Sequence, residues 1–282
     1  MKKILVPIDF SDASIGALQV AAHLALSTGA EISLLYVNEM VLYVLPVSEY
    51  AYGAAVVDMD NYNEQALEKL QAIKSRYFNK PAFNGLHAKS IVKDGSFVSI
   101  VKEMVDEEGY NLIVMGTLGA TGWKEALIGS NTERVIRHAS CPVLVIPEGV
   151  EQLNLRKILV ASTLKVDQES MFVTVKALKQ WFDFEVEILY MNNPLHAMTP
   201  ESVEAEKNYL MQHAGLKQVK LHAIDPTIDE EASILNYAKA TNADLILMGT
   251  HQRKGISHLM FGSITEDTAN HTHIPVLSVP ID

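Results

Sequence analysis

The chain has 282 residues, enough for two domains of about 150 residues, each with its own core. It is 48% hydrophobic, and its net charge of −11 is spread evenly, with 12 basic and 17 acidic side chains in residues 1–150 and 11 and 17 in residues 151–282. A single cysteine, Cys141, excludes a disulfide framework and any zinc site with several thiolates, and the acidity excludes a broad nucleic-acid surface.

From the N-terminus, Met1-Lys2-Lys3 has the charge of a signal-peptide start. The apolar run Ile4 to Ile8 is too short for one, and Asp9 and Asp12 interrupt it. Short β-branched runs then alternate with longer amphipathic ones. Strands are predicted at Ile4–Ile8, Ile32–Val37, Leu86–Val92, Leu112–Met115 and Val143–Ile146, and helices at Ala13–Leu26, Tyr62–Phe78, Phe97–Glu108 and Asn131–His138. A second series of strands is predicted near 157–161, 185–190, 218–224, 244–248 and 276–279. Continuous apolar strands alternating with helices predict an α/β fold with open parallel sheets covered on both faces. The stretch from Val41 to Met59 is apolar, but Pro46, Glu49, Gly53 and Asp58 spoil it as a membrane span. A cytoplasmic protein without membrane insertion is expected.

The two series are copies of one unit. Lys3-Ile4-Leu5-Val6 recurs as Lys157-Ile158-Leu159-Val160, an offset of 154. Later matches hold an offset of 133: Leu112-Ile113-Val114-Met115-Gly116-Thr117 with Leu245-Ile246-Leu247-Met248-Gly249-Thr250, Gly129-Ser130 with Gly262-Ser263, and Pro142-Val143-Leu144 with Pro275-Val276-Leu277. The first copy therefore carries 21 extra residues, placed most naturally in 38–60 as a lid, a partner surface or a plain flap. The expected domains are 1–147 and 157–282, joined by a linker over 148–156.

In the first copy the fourth strand enters a loop holding Gly116, Gly119, Gly122 and Gly129, followed by Ser130, Asn131 and Thr132 at a helix start. Glycines let backbone amides approach a phosphate closely, and a helix N-terminus adds free amides and a favourable dipole. The competing reading is structural, since Ser130-x-x-Glu133 is a capping box repeated as Ser263-x-x-Glu266. Asp9, just after the first strand, is likewise either a ligand group or a local turn cap.

The spacing Gly116-x2-Gly119-x9-Gly129-Ser130-x-Thr132, with the opening Val6-Pro7-Ile8-Asp9-Phe10-Ser11, resembles the ATP-binding signature of the universal stress protein family. The resemblance covers nearly the whole chain as two tandem domains. It implies a Rossmann-like, α-hydrolase-like nucleotide-binding fold, five strands to a sheet, with the halves packed as a pseudo-dimer through Val143–Ile146 and Val276–Val279. It also implies an adenine nucleotide, ATP with an accompanying Mg2+, as ligand. Pro7 and Asp9 would face the adenine, and Val37 would line its pocket. Met115 and Gly116 would lie along the nucleoside, and Gly119, Gly129, Ser130, Asn131 and Thr132 would hold the phosphates.

The second copy departs from this pattern. Gln252 stands for Gly119, Thr163 for Asp9, Ala161 for Pro7 and Ile264 for Asn131, so its site reads as degenerate. No P-loop or Rossmann fingerprint is present. Lys124, Glu125 and Arg134 read better as solvated charges than as phosphoryl-transfer groups, so no catalytic residue is assigned. His271-x-His273 with His251 and His258 has the composition of a metal site, but His138 matches His271 as a structural counterpart, and no metal is assigned. Cys141 reads as a small buried hydrophobe. The expected function is a stress-response regulatory or protective factor that binds ATP in its N-terminal half, with slow or no hydrolysis. It would serve an unidentified protein partner, either as a single chain or as a further homodimer. The alternatives are a scaffold binding another small ligand or metal, and a weak ATPase.

Overall fold

The computed structural model describes residues 2–39, 49–83, 85–117, 130–165, 168–191, 198–224, 229–251 and 261–281. The first half runs β1 (Lys3–Pro7), α1 (Asp12–Thr28), β2 (Glu31–Asn38), α2 (Glu49–Phe78), β3 (Ala88–Asp94), α3 (Phe97–Glu108), β4 (Leu112–Thr117), α4 (Ser130–His138) and β5 (Val143–Pro147). The second half runs β6 (Lys157–Ser162), α5 (Glu169–Lys179), β7 (Glu185–Tyr190), α6 (Pro200–Ala214), β8 (Lys220–Ala223), α7 (Glu230–Thr241), β9 (Leu245–His251), α8 (Phe261–His271) and β10 (Val276–Ile281). No helix among the described residues is long and apolar enough to cross a membrane.

The strands line up as β3-β2-β1-β4-β5-β10-β9-β6-β7-β8 in one sheet of ten. Within each half every pairing is parallel, so each crossover needs a helix, and the helices cover both faces. The halves meet where β10 pairs antiparallel with β5, Leu277 opposite Leu144. The two expected five-stranded sheets are thus continuous, and the strands expected to form the seam do form it. One core lies on the α1/α2/α5/α6 face, around Ile4, Leu34, Leu144, Phe172 and Leu277. The other lies on the α3/α4/α7/α8 face, around Leu5, Met104, Ile113, Val143 and Val276.

Helix ends follow local chemistry. Ser11 caps α1, accepting the Ser14 amide, and Gly29 ends it at φ 70 with its amide returned to Ala25. The edge strands β3 and β8 are half-exposed, which blurs their sequence pattern; β3 begins at Ala88, not Leu86. Helix α2 begins at Glu49 rather than Tyr62, and at 30 residues it is twice the 15 of its counterpart α6. Most of the extra length of the first half is therefore helix, while 40–48 lie outside the described residues. Asn63 ties this helix to the sheet, its amide donating to both Asp94 carboxylate oxygens at 3.0 and 2.8 Å and its carbonyl accepting from Asn38 at 3.2 Å.

Candidate functional site

The strand order turns back between β1 and β4, and a crevice opens beyond the carboxyl ends of β1, β2 and β4, where open α/β sheets receive ligands. Its volume is about 320 Å3. Of the residues singled out in the sequence, Pro7, Asp9, Val37, Met115, Gly116, Asn131 and Thr132 line it together. Gly119 and Gly129 lie outside the described residues, as do Gly122, Lys124 and Glu125. Ser130 starts α4, though its side chain is not described. The sequence reading missed Tyr36, Glu39 and Phe97, which also face the crevice. All three sit where a strand ends or a helix begins, the signal that would have found them.

The β1–α1 turn is built on Asp9. Its Oδ1 accepts both the Ser11 amide at 3.0 Å and the Ser11 hydroxyl at 2.6 Å, and Ser11 in turn caps α1. Burial pushes the Asp9 carboxyl up, but the bonds from Ser11 and Ser14 outweigh it and hold the group below its ordinary value. The residue between them, Phe10, takes φ 68, rare outside glycine, and its ring rests 5.1 Å from that of Tyr36. Both readings of Asp9 therefore coexist: Oδ1 is the turn cap, and the same carboxylate lines the crevice.

Three other crevice residues are also structural. Thr132 is buried and donates its hydroxyl to the Gly116 carbonyl at 3.4 Å, tying the first turn of α4 to the end of β4. Gly116 is required because α1 crosses it: a Cβ there would stand 2.1 Å from the Ala13 carbonyl oxygen. That contact alone explains a glycine attributed to phosphate approach. Glu39 supplies the cap that Ser96 does not, its Oε1 accepting the Phe97 amide at 3.0 Å at the start of α3. No lysine or arginine is among the described lining residues, and Arg134 bonds the Asn131 carbonyl at 3.3 Å. Negative charge in this crevice would be met by helix starts and backbone amides.

The corresponding place in the second half is built differently. Leu164 repeats the left-handed turn at φ 57, but the turn is closed by buried Gln168, whose Oε1 accepts the Ser162 hydroxyl at 2.6 Å and the Thr163 amide at 2.9 Å. Helix α5 packs on β10 and α6, whereas α1 packs chiefly on β4. Space that α1 backbone occupies beside Gly116 is filled beside Gly249 by the Met171 and Ile281 side chains. Thr265 keeps its bond to the Gly249 carbonyl, at 3.2 Å.

The halves are locked by an unexpected use of the capping-box glutamates. Arg137 on α4 donates to both carboxylate oxygens of Glu266 on α8 and to Glu133 one turn earlier. Glu266 holds the guanidinium above its ordinary pKa.

A model of the universal stress protein family matches residues 1–147 and again 154–280. The chain belongs to the universal stress protein family. This universal stress protein is 27% identical over 311 aligned residues to universal stress protein Slr1230 of Synechocystis sp., with 99% of each chain covered. Universal stress protein YxiE of Bacillus subtilis is 34% identical over 145 residues, 51% of this chain and 97% of its own length, so it corresponds to one half. A solved universal stress protein structure from Archaeoglobus fulgidus shares the fold over 99% of this chain and 98% of its own, with a TM-score of 0.69 at 20% identity.

Proposed function

We propose that the N-terminal half binds ATP in the crevice at the ends of β1, β2 and β4, and that the chain acts as a stress-response regulatory or protective factor rather than a turnover enzyme. The observation that carries this reading is the convergence of Asp9, apolar Val37 and Met115, and the α4 start at the sheet's switch point. The residues present suit such a ligand. Val37, Met115 and Tyr36 offer apolar surface to a base, and Asp9 and Glu39 each keep one carboxylate oxygen beyond those used as caps. Asn131 keeps its amide donors for phosphate oxygens, since only its carbonyl is engaged by Arg134. The spare oxygen of Asp9 would accept from the base or the ribose, and magnesium accompanying the nucleotide would be held by the phosphates themselves. The reading includes slow or absent hydrolysis, supported by a described lining that offers no side-chain cation to meet developing charge. The second half would not bind ATP in this manner, because Thr163 and Gln252 stand where Asp9 and Gly119 stand in the first, and Gln168 rather than a carboxylate closes the turn after β6.

The test is to denature natively purified protein, identify the released small molecules by mass spectrometry, and titrate ATP by calorimetry. One adenine nucleotide per chain, lost on combining Gly119→Ala with Asp9→Ala, supports the reading. Two per chain would show a working second site. None, with a flat titration, would leave a scaffold.

A further inference from the structure

The seam between the halves is closed on one face of the sheet and open on the other. On the closed face α4 meets α8 through the Arg137–Glu266 pair. On the opposite face the space between α1 and α5 holds a pocket of about 190 Å3, distinct from the crevice. Its lining includes three pairs of residues equivalent by the internal repeat: Leu24 with Leu178, Leu112 with Leu245, and Leu144 with Leu277. The pocket thus straddles the approximate two-fold axis relating the halves. The linker closes it with Leu153 and Leu155, and Trp181, just past the end of α5, and Val173 of α5 stand at its rim, 42% and 51% exposed.

Its chemistry is apolar to an unusual degree. Asn111 and Thr174 are its side chains with hydrogen-bonding groups besides the Trp181 indole, and both are already engaged elsewhere. Asn111 accepts the Lys2 and Lys3 amides at 2.8 and 2.9 Å and donates to the Gly109 carbonyl at 3.0 Å. The Thr174 hydroxyl donates to the Ser170 carbonyl at 2.9 Å. A charged or strongly hydrated group entering here would lose water without replacement. By contrast, an engineered apolar cavity of about 150 Å3 in another protein stays dry and takes up benzene or xenon. The floor leucines Leu144, Leu245 and Leu277 are buried at the base of the pocket.

We propose that this pocket is a binding site for a compact, uncharged apolar molecule, the size of an aromatic ring or a short branched hydrocarbon, held between the two halves. A second copy of the chain suits it less. Among the described residues the rim offers only Val173 and Trp181 as large exposed apolar groups, while a stable interface needs about 800 Å2 from each partner. The proposal is independent of nucleotide binding.

The test titrates toluene into the full chain carrying 13C-labelled leucine methyls. Saturable shifts on Leu24, Leu144, Leu178 and Leu277 are expected. Ala177 faces the pocket from an exposed helix position, so Ala177→Phe fills the mouth without disturbing the core, and it should raise the toluene dissociation constant by about tenfold or more. Shifts that never saturate, that scatter over the surface, or that persist in Ala177→Phe would overturn the proposal. So would shifts that follow protein concentration with a doubling of mass by light scattering, the signature of a second copy.

Discussion

The carbonyl oxygen of Ala13 lies 2.1 Å from where a Cβ on residue 116 would stand, and the Ser14 amide nitrogen lies 2.9 Å from the same point. Helix α1 therefore rests its first turn directly on the end of β4, and backbone atoms cannot swing aside as side chains can. Gly116→Ala is expected to cost about 3 kcal/mol in urea denaturation, at the upper end of overpacking effects. At Gly249 the obstructing atoms are ends of the Met171 and Ile281 side chains. Gly249→Ala should cost only about 1 kcal/mol. Equal losses at both positions would refute the distinction. Because Gly116 holds the fold, its variants do not report on ligand contact, and Asp9 and Gly119 are the better probes.

Asp9 carries a pH signature. Its carboxyl sits below its ordinary value in the folded state, because the bonds from Ser11 and Ser14 exceed the opposing effect of burial. The stabilisation is thus complete above the unfolded-state value of about 3.9 and fades as pH falls through the lower folded-state value. Asn at this position still accepts from Ser11 but does not titrate. The stability gap between wild type and Asp9→Asn should be present at pH 7 and narrow steadily below about pH 4, as read by urea unfolding at each pH. A gap that widens in acid would contradict this assignment.

Glu266 is 2% exposed, and its charge depends on Arg137. Removing one partner of a buried pair leaves the other uncompensated, so Arg137→Met should cost about 3 kcal/mol. Combining it with Glu266→Met should recover most of that loss, since an apolar pair of similar volume often matches an ion pair. A double-mutant cycle in guanidinium would read the coupling directly.

The thiol of Cys141 is buried, and burial, with Asp106 adding to it, pushes its pKa up to about 12. Thiolate is the reactive form, so native protein should react with a thiol-specific disulfide reagent at pH 8 far more slowly than urea-unfolded protein. Equal rates would mean that the thiol is accessible.

Much of this architecture is legible in the linear pattern because parallel strands buried on both faces write themselves as unbroken apolar runs. Ile4 to Val6 and Leu112 to Met115 are of this kind, whereas the seam through Leu144 and Leu277 was implied by the family resemblance and not by the repeat itself. The edge strand β3 is half-exposed, so its start was misjudged by two residues. The start of α2 was hidden because Gly53, Asp58 and Asp60 interrupt its apolar period, while its backbone is helical from Glu49 onward. At the crevice, residue identities were readable but their second duties were not. Nothing beside Gly116 announces that α1 will lie across it, and nothing near Thr163 announces that Gln168 will close its turn. Glu133 and Glu266 fit a local capping pattern, yet both carboxylates are gathered by an arginine at the seam. Each of these is a tertiary partnership laid over a correct local signal.

The antiparallel join of β5 to β10 has a consequence for how the two halves can change over time. In an assembly of identical subunits every substitution appears twice, related by symmetry, and must suit itself on both sides. Here the position equivalent to Arg137 is Asn270, so the arginine of the seam is supplied by one half alone. Tethering the partners in one polypeptide frees each from being its own mate. One half can keep Asp9 facing its crevice while the other closes the equivalent turn with Gln168, and neither can exchange its neighbour for an unsuited one.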